Sequence, residues 1–560
     1  MPGIVVMRVG MDSGRFGLAI VLVIAVIVLT NILFPPVRPE EPAAPAGAPD
    51  VEAVAPERPA AVRETPPAAG AAALEAGVAV DTITAVSPLY AYTFSTLGGS
   101  VIGAELFRFE SGVREGPVQL APESGAPLLG YELWVDGEAV DLRRVLFRTE
   151  APDTILVREG QAPETFRLIG EDPATGITVR LEYTISPDDY LVDVRGEVEG
   201  LSGRGTSLLV LDLAPALGVN EANEEEDRRS FAYAVRGRRN GVRSTMLSRI
   251  KAERIEEGPL EWVALRSKYF LLAAVKASDE AATEFGGLIA RPTSEPNAAD
   301  LRATLPLGTD RTFAFRLYLG PQEYNRLAEV GYGLQDVNPY GWRVLRPIIR
   351  PLAQLLTWAL IGMQQALGLG YGWVVILFGV LIRLLLWPLN ARAMRSQMKN
   401  MALQPRIQEI QTKYKNDPQK LQQEMLRLYR EEGFNPLGGC LPMLIPFPVL
   451  ITLFFVFQNT IEFRGVEFLW LPDLSRPDPY FVLPIILGVS MFAMQWISAK
   501  VTPPNPQMKM MMYFMPAFMV VIFLNLSSGL NLYYAAQNLA SIPQQIQITR
   551  ERQRLQAAKR

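Results

Sequence analysis

Apolar and polar residues follow each other with different periods along the chain. The first pattern is an unbroken apolar run of 18 residues, GLAIVLVIAVIVLTNILF at 17–34, which follows Arg8 and Arg15. A helix of about 20 apolar residues crosses a bilayer, and the run exceeds the apolar core of a cleaved signal peptide, about 7–15 residues. We therefore predict a retained transmembrane anchor over residues 1–34 with a cytoplasmic N-terminus; removal as a signal peptide is the alternative.

A pattern of period two occupies residues 81–327. It follows a segment at 35–80 that is rich in Pro, Ala and Glu, has too few apolar residues to fold, and is predicted to be a flexible linker. Strict alternation occurs in ITVRLEYTI at 177–185 and YLVDVRGEV at 190–198, and TFAFRLYLG at 312–320 places its large apolar residues on one face. Such alternation between Gly, Pro and Asp turns predicts an antiparallel β-sandwich with polar outer faces.

Helical periodicity begins at residue 343. Apolar residues in 343–367 recur at steps of three and four, and Arg343, Arg346 and Arg350 take the other face. This predicts an amphipathic helix lying in a membrane interface, because an apolar span follows it; a helix packed on a soluble core is the alternative. Five further apolar segments predict a polytopic helical bundle, with six spans when the anchor is counted: 371–389, 440–458, 481–497, 510–526 and 530–548.

The basic residues between these segments predict the orientation of the chain. Nine Lys and Arg lie between 390 and 437 and five lie in the tail at 549–560, whereas the loop at 459–480 holds two against four acids. Because excess positive charge marks the cytoplasmic side, both termini are predicted to be cytoplasmic. Residues 35–342 are then on the opposite side of the membrane.

Residues 391–432 are predicted to form a cytoplasmic helical hairpin. Two apolar stripes are interrupted at K-N-D-P, where Asp417 can cap a second helix and Pro418 suits its first position. We interpret the hairpin as a docking arm for a cytoplasmic partner, and a solvated connector whose methionines simply pack is the alternative. The residues assigned to docking are Met394, Met398, Tyr414, Asp417, Pro418 and Met425.

The composition excludes several chemistries. The chain of 560 residues has no histidine, one cysteine (Cys440) and a net charge of −4. Ser-His-Asp and Cys-His catalysis, a zinc site and an internal disulfide are therefore excluded. The chain also lacks a phosphate-binding Gly-rich loop and the positive charge that nucleic-acid binding requires. We predict no enzyme activity, no cofactor, no metal and no nucleic-acid ligand.

Arg383 stands inside an apolar segment, VVILFGVLIRLLLWPLN at 374–390. An arginine at a helix centre costs about 2.5–3.5 kcal/mol, and at 1.5 Å per residue it lies about 18 Å along the span that begins at Tyr371. No Asp or Glu occurs in the later spans, so the guanidinium is predicted to face a hydrated cavity open to the cytoplasm and to lipid. Snorkelling to the headgroups is the alternative. We assign four amides to this groove: Gln458, Gln495, Asn525 and Gln537. The alternative for each amide is a structural hydrogen bond between two helices.

Several segments resemble the YidC family of membrane protein insertases, whose relatives are the mitochondrial Oxa and chloroplast Alb insertases. The N-terminal anchor and the large β domain resemble the domain architecture of the Gram-negative branch of this family. In the β domain, TFSTLGGSVIGAELFRF at 93–109 carries a modest sequence similarity. The similarity extends from about residue 343 to 547. The segments that carry it are LQPRIQEIQTKY at 403–414, NPLGGC at 435–440 with LPMLIPFPVLITLFFVF after it, DPYFVLPIILGVSMF at 478–492 and SSGLNLYYAAQNL at 527–539.

The resemblance implies a periplasmic β-supersandwich domain and a multi-pass protein of the cell inner membrane. It further implies insertion and folding of nascent inner-membrane proteins, alone or with the Sec translocon. Arg383 matches the family's groove arginine and Tyr534 an aromatic that contacts clients, while Gly379 stands where some members carry a hydroxyl residue. The signal recognition particle, its receptor and the ribosome are further implied partners, although the basic tail is short.

Two other functions compete with insertion. One is a membrane-anchored sugar-binding or sugar-isomerising enzyme, because the β-supersandwich resembles that of sugar mutarotases and acids such as Glu182, Asp188 and Asp189 are present. Those enzymes rely on histidines, which this chain lacks, and acids in a turn are usually solvated. The other is a channel or transporter, which the absence of acids within the spans disfavours.

Overall fold

The computed structural model describes most of the chain from residue 80 onward. The described residues are 80–201, 205, 207–239, 241–278, 283–308, 310–338, 341, 345–388, 404–415, 417–431, 447–499 and 506–557. The predicted anchor, nearly all of the predicted linker, Met394, Met398 and Cys440 lie outside them. The chain divides into two compact units, one with residues 1–66 and 392–444 and the other with 67–391 and 445–560.

Strands between Thr82 and Pro321 form one hydrogen-bonded network. In chain order they are β1 (Thr82–Val86), β2 (Tyr90–Ser95), β3 (Val101–Glu110), β4 (Pro117–Gln119), β5 (Leu129–Val135), β6 (Glu138–Val140), β7 (Phe147–Arg148), β8 (Thr154–Leu156), β9 (Glu164–Glu171), β10 (Thr178–Ile185), β11 (Leu191–Glu199), β12 (Ser207–Leu213), β13 (Ala232–Gly237), β14 (Gly241–Met246), β15 (Arg254–Arg266), β16 (Phe270–Lys276), β17 (Phe285–Pro292), β18 (Ala299–Pro306) and β19 (Thr312–Pro321).

The long strand β15 connects the two layers of this β domain. Its first residues, Arg254–Glu257, pair with β17, which continues through β18 and β12 to β5. After a register shift between Glu257 and Leu260, β15 pairs with β13 and with β16, and β16 continues through β19 and β11 to β10 and β9. The predicted antiparallel sandwich is confirmed, with one difference. Among the described pairings, β1 with β8 is parallel; it joins residues about 70 positions apart, which local alternation does not encode.

Buried side chains on alternate positions fill the space between the layers. Phe313, Phe315, Leu317 and Leu319 of β19 are all at most 3% exposed, as the alternation predicts. Several tyrosine hydroxyls are satisfied inside the core: Tyr183 of β10 shares a 2.8 Å hydrogen bond with a tyrosine of β5 and donates to the main chain of Gly99 at 2.7 Å. The two layers are therefore joined by apolar packing and by hydrogen bonds that run between them.

Helices follow the β domain in the same compact unit. In chain order, the helices within the described residues are α1 (Glu224–Ser230), α2 (Tyr324–Val330), α3 (Arg346–Leu367), α4 (Tyr371–Leu385), α5 (Gln404–Lys413), α6 (Pro418–Glu431), α7 (Phe447–Asn459), α8 (Val482–Ala499), α9 (Pro506–Phe523) and α10 (Ser528–Ala557). Among them, none is by itself both long and apolar enough to cross a membrane, and only α3 and α4 meet that criterion as a pair, across a bend of 119°.

The amphipathic helix α3 exposes apolar side chains as well as burying them. Ile349, Ala353, Leu356 and Leu360 are buried at the spacing of one helical face. A second set of apolar residues points outward: Ile348, Leu355 and Trp358 are 59%, 55% and 67% exposed.

The other compact unit contains the helical hairpin of α5 and α6. Oδ1 of Asp417 accepts a hydrogen bond of 3.0 Å from the main-chain N–H of Lys420, and Pro418 is the first residue of α6. The predicted cap of the second helix is thereby confirmed. On α6, Leu428 is buried and Leu426 is 48% exposed.

A close cross-strand contact generates the first prediction. A Cβ at Gly196 of β11 would lie 2.1 Å from the ring of its β19 partner Phe313, whereas a Cβ at Gly130 of β5 would meet nothing nearer than 3.7 Å. We expect Gly196→Ala to displace the ring and to reduce the free energy of unfolding by about 1–3 kcal/mol. Thermal unfolding in detergent checks this, with Gly130→Ala as the matched control; equal melting temperatures for the two variants would contradict it.

Candidate functional site

Arg383 lies where α4 packs against α10. Its Nη2 donates a hydrogen bond of 2.7 Å to Oε1 of Gln544, and Nε2 of Gln544 donates to the main-chain oxygen of Trp387 at 3.3 Å. Gln544 is 1% exposed, and Arg383 is half-buried with an Nε that has no partner. Within the described ranges no carboxylate pairs with this guanidinium. The positive charge is thus held by a neutral amide, which leaves hydrogen-bonding capacity for another group.

Close approach of α4 and α10 depends on a glycine one turn before the arginine. A Cβ at Gly379 would lie 3.1 Å from the main-chain oxygen of Tyr533 and 3.5 Å from Cβ of Ala536. Gly379 is buried in this contact. The residue is therefore a helix-packing position, and a larger side chain there would separate the helix that carries Arg383 from the helix that carries its amide partner.

Polar residues follow each other along α10 at steps of three or four. Several bond to neighbouring helices: Asn531 donates to the main chain of Phe523 at 3.0 Å, and Asn538 donates to Ser490 of α8 at 3.3 Å. Residues at this spacing share one face of a helix. We call this set the polar stripe of α10: Ser527 (just before the helix), Asn531, Tyr534, Asn538, Ser541 and Gln544.

Tyr534 occupies the middle of the polar stripe. Its ring contacts Phe523 and Tyr533, with centroids 5.5 Å and 5.1 Å away, and its hydroxyl is buried without a hydrogen-bond partner among the described residues. A buried hydroxyl without a partner is costly. Tyr534 therefore offers an unsatisfied polar atom inside the bundle.

The other amides assigned from the sequence do not gather around Arg383. Gln458 and Asn525 line a cavity of about 500 Å³ beside the start of α10, and α10 begins at Ser528, about 24 Å along the helix from Gln544 at 1.5 Å per residue. Gln495 and Gln537 are half-buried and have no hydrogen-bond partner within the described part of the chain. Sequence reasoning missed Gln544, Asn531 and Ser541, although their spacing along α10 was a usable signal.

The loop between α7 and α8 ties the helices to the β domain. Arg464 pairs with Glu221 at 2.8 Å, with both side chains nearly buried, and donates to the main chain of Glu110 at 2.8 Å. Its guanidinium lies 5.4 Å from the ring centre of Phe270, and Ile461 of the same loop belongs to the apolar core of the β domain. This loop is therefore a structural part of the β domain surface as well as a connector.

Two acids at this junction, buried Glu221 and half-buried Glu462, have raised pKa values. Burial raises the pKa of Glu221 to about 7, because the cost of removing the carboxylate from water outweighs the attraction of Arg464. Burial likewise raises the pKa of Glu462 to about 7; this carboxyl accepts a hydrogen bond of 3.4 Å from the main chain of Tyr324. With pKa values of about 7, both carboxyl groups change protonation near neutral pH.

The family of this chain follows from its similarity to known proteins. The profile described as "60Kd inner membrane protein" matches residues 362–556, and the one described as "YidC periplasmic domain" matches residues 82–355. A membrane protein insertase YidC of Chlorobaculum tepidum is 32% identical over 87% of this chain and 86% of its own length. This chain belongs to the YidC family of membrane protein insertases.

Other members of the YidC family show comparable similarity. The insertase of Chlorobaculum parvum is 35% identical over 74% of this chain and 73% of its own length, and that of Aromatoleum aromaticum is 33% identical over 74% of both chains. Among solved structures, an active YidC insertase with the first transmembrane domain resolved covers 83% of this chain and 92% of its own, at 19% identity and a TM-score of 0.35. A galactose mutarotase related enzyme from Lactobacillus acidophilus covers 42% and 97%, at 10% identity and a TM-score of 0.28.

The three acids that suggested an enzyme are not gathered in one site. Glu182 is paired with Arg167 at 2.7 Å on the outer face of the sheet. Asp189 accepts a 2.8 Å hydrogen bond from the main chain of Leu191, and Asp188 accepts one of 3.4 Å from Gly160. Each acid therefore stabilises a pair of strands or a turn. Membership of the YidC family agrees with membrane protein insertion and not with a known enzyme. Among the described residues, no cluster of three or more His, Cys, Asp or Glu could hold a metal ion.

The raised pKa of Glu221 predicts a pH dependence of stability. A carboxyl whose pKa rises from 4.5 to about 7 on folding contributes stability that is complete below pH 4.5 and is lost as the pH rises through 7, up to about 3 kcal/mol. We expect Glu221→Gln to become progressively more stable relative to the wild type between pH 5 and pH 8, because glutamine cannot ionise. Melting temperatures in detergent at several pH values measure the difference.

The exposed Glu225 supplies the control for this titration. It lies on α1 and pairs with Arg229 one turn away, with its side chain 74% exposed. Glu225→Gln should therefore change the melting temperature by the same small amount at every pH. A pH-independent difference between Glu221→Gln and the wild type would contradict the raised pKa.

The contact at Gly379 gives a prediction that concerns both stability and function. Gly379→Leu should force α4 and α10 apart, cost about 1–3 kcal/mol and remove the bond between Arg383 and Gln544. The expected result is a lower melting temperature in detergent together with reduced insertion of client proteins. Gly362→Leu on α3 is the control, because a Cβ there meets no atom within 4 Å; if both variants lose activity equally, the contact is not the cause.

Proposed function

We propose that this chain inserts inner-membrane proteins into the bilayer and assists their folding, without covalent chemistry. Membership of the YidC family supports the proposal. The observation that carries the mechanism is the environment of Arg383: half-buried in a helix contact, bonded to the amide of Gln544, and without a carboxylate partner among the described residues.

The physical argument concerns the unsatisfied part of the guanidinium. A charged group in a low-dielectric bundle is stable only when hydrogen bonds or water satisfy its donors. The amide of Gln544 uses one donor of Arg383, and the buried Nε is not used. We infer that water enters beside Arg383 and that polar or acidic segments of a client replace this water during transit. Apolar segments of the client would then leave along the helix faces into lipid.

The arrangement in the membrane follows from the same proposal. We propose six spans, with the anchor at 1–34 and the segments 371–389, 440–458, 481–497, 510–526 and 530–548. Both termini would be cytoplasmic and residues 35–342 periplasmic. The outward apolar residues of α3 suit a helix that lies in the membrane interface, because lipid would cover side chains such as Trp358, which is 67% exposed.

Partners on the cytoplasmic side would meet the helical hairpin. We propose residues 391–432 as the docking arm, with Met394, Met398, Tyr414, Asp417, Pro418 and Met425 as its candidate residues. The half-exposed Leu426 of α6 supports an apolar contact there. The signal recognition particle, its receptor, the ribosome and the Sec translocon are the proposed partners.

Replacement of Arg383 tests the mechanism. We expect Arg383→Ala to slow insertion of a client with an acidic translocated segment by roughly tenfold, which corresponds to about 1.4 kcal/mol, and Arg383→Lys to retain most of the activity. The same client with its acids changed to Asn and Gln should be much less sensitive. Protease protection of the translocated segment in proteoliposomes made with the full-length protein measures insertion.

The control for this experiment removes a charge of the same kind elsewhere. Arg291 lies on the β domain surface and pairs with Glu253 at 2.6 Å, so Arg291→Ala should insert both clients at the wild-type rate. Equal loss for the acidic and the neutral client in Arg383→Ala would refute the role of the guanidinium. Absence of insertion by the wild-type protein itself would refute the proposed function.

A further inference from the structure

The cavity beside the start of α10 lies between the helices and the β domain. It has a volume of about 500 Å³, whereas one liquid water occupies about 30 Å³, so it has room for a ligand with several polar groups. The helical part of the chain contributes Gln458, Asn525 and Ser527 to the lining of this cavity. The other lining residues include Asp227, Lys268 and Arg476. Cavities between two parts of a fold are common binding positions.

Most of the charged groups around this cavity are already paired, although Oδ1 of Asp227 is buried without a hydrogen-bond partner among the described residues. Lys268 contacts Glu226 at 2.9 Å, Arg476 contacts Asp473 at 3.3 Å, and Glu221 contacts Arg464 at 2.8 Å. Oδ2 of Asp227 accepts main-chain N–H groups of Asn220 and Glu221 at 3.0 Å and 3.3 Å. A phosphate or another strongly charged ligand would have to break these pairs, which is unfavourable for partly buried ions.

Three uncharged polar groups of the cavity are free. Within the described residues, the amides of Gln458 and Asn525 have no hydrogen-bond partner, and Oγ of Ser527 is buried without one in a residue that is 3% exposed. Amides and hydroxyls both donate and accept hydrogen bonds. This is the chemistry that recognises peptide groups and uncharged polar side chains.

The polar stripe of α10 connects this cavity with Arg383. Ser527 is at one end of the stripe, and Gln544, the partner of Arg383, is at the other. Gln544 is 17 positions after Ser527, which corresponds to about 25 Å of helix, close to the thickness of a bilayer core, about 30 Å. A client segment that passes Arg383 and crosses the bundle would therefore reach the cavity as it leaves the membrane.

We propose that this cavity is a second client site, which receives the uncharged polar stretch of a translocated segment after it has passed the bundle. The inference rests on the proposed insertase function, since it requires a client in transit. The free amides of Gln458 and Asn525 bind main-chain groups of the client in extended conformation. These hydrogen bonds stabilise the client segment that has already crossed the membrane, and they oppose its movement back through the bundle.

Photocrosslinking from the full-length protein tests the site. A photoreactive phenylalanine derivative is placed at Asn525, at Gln458, at Gln537 within the bundle, and at the exposed Leu156 of the β domain as a control. The client is a ribosome-bound nascent chain with a Ser- and Asn-rich translocated segment, in steps of increasing length. We expect crosslinks at Gln537 first. They should appear at Asn525 and Gln458 in chains about four residues longer, because about 14 Å of helix separate Gln537 from the start of α10 at Ser528, beside the cavity, and an extended chain covers about 3.3 Å per residue.

The outcomes separate the two proposals. Crosslinks at Gln537 with normal insertion, but none at Asn525 or Gln458 at any length, would overturn the second site and leave the insertase function intact. Adducts at Asn525 with lipid alone would also overturn it. Absence of both insertion and crosslinks at Gln537 would overturn both proposals. Crosslinks at Leu156 as strong as those at Asn525 would show non-specific contact and would count against the site.

A second measurement uses activity. The double variant Gln458→Leu/Asn525→Leu should slow translocation of the Ser- and Asn-rich segment by about three- to tenfold, while crosslinking of the client at Gln537 persists. Gln365→Leu, on an exposed position of α3, replaces a similar amide away from the cavity and should leave translocation unchanged. Wild-type rates in the double variant would overturn the proposal.

Discussion

A guanidinium held inside a helix contact by a neutral amide is the interaction on which the proposed mechanism depends. Arg383 and Gln544 meet because Gly379 lets α4 approach the main chain of α10. A carboxylate in place of the amide would neutralise the guanidinium and occupy its donors. A client group would then have to break a buried ion pair in order to bind, which is strongly unfavourable. An amide leaves donors of the arginine unused, and an unused donor in an apolar environment binds water or a passing polar group.

The same helix relates this site to the β domain. The polar stripe of α10 begins beside the cavity and ends at the partner of Arg383, while the loop between α7 and α8 is joined to the β domain by Arg464 and its pair Glu221. Two acids at that junction have pKa values near 7. The ionised carboxylates at this junction therefore destabilise the folded protein by an amount that increases with pH. The junction lies next to polar groups that have no hydrogen-bond partner among the described residues.

Sequence patterns predicted the elements with good accuracy where burial is one-sided. The alternation in β10, β11 and β19 identified their buried faces, because each strand has one face in the core. The Asp417–Pro418 cap followed from local chemistry alone. The parallel pairing of β1 with β8 and the switch of β15 between two layers could not be predicted, since both depend on contacts between residues far apart in the chain.

The sequence by itself determined the β domain, the apolar helical segments, the absence of histidine chemistry and the unusual position of Arg383. Family motifs in the printed sequence also led to the insertase family. Only the tertiary structure decided which polar residues meet. Gln544 pairs with Arg383, whereas Gln458 and Asn525 line a separate cavity roughly a membrane's thickness away. The reason is physical: hydrophobic pattern specifies which face of a helix is buried, but the partner of each buried polar atom depends on how two helices are packed against each other.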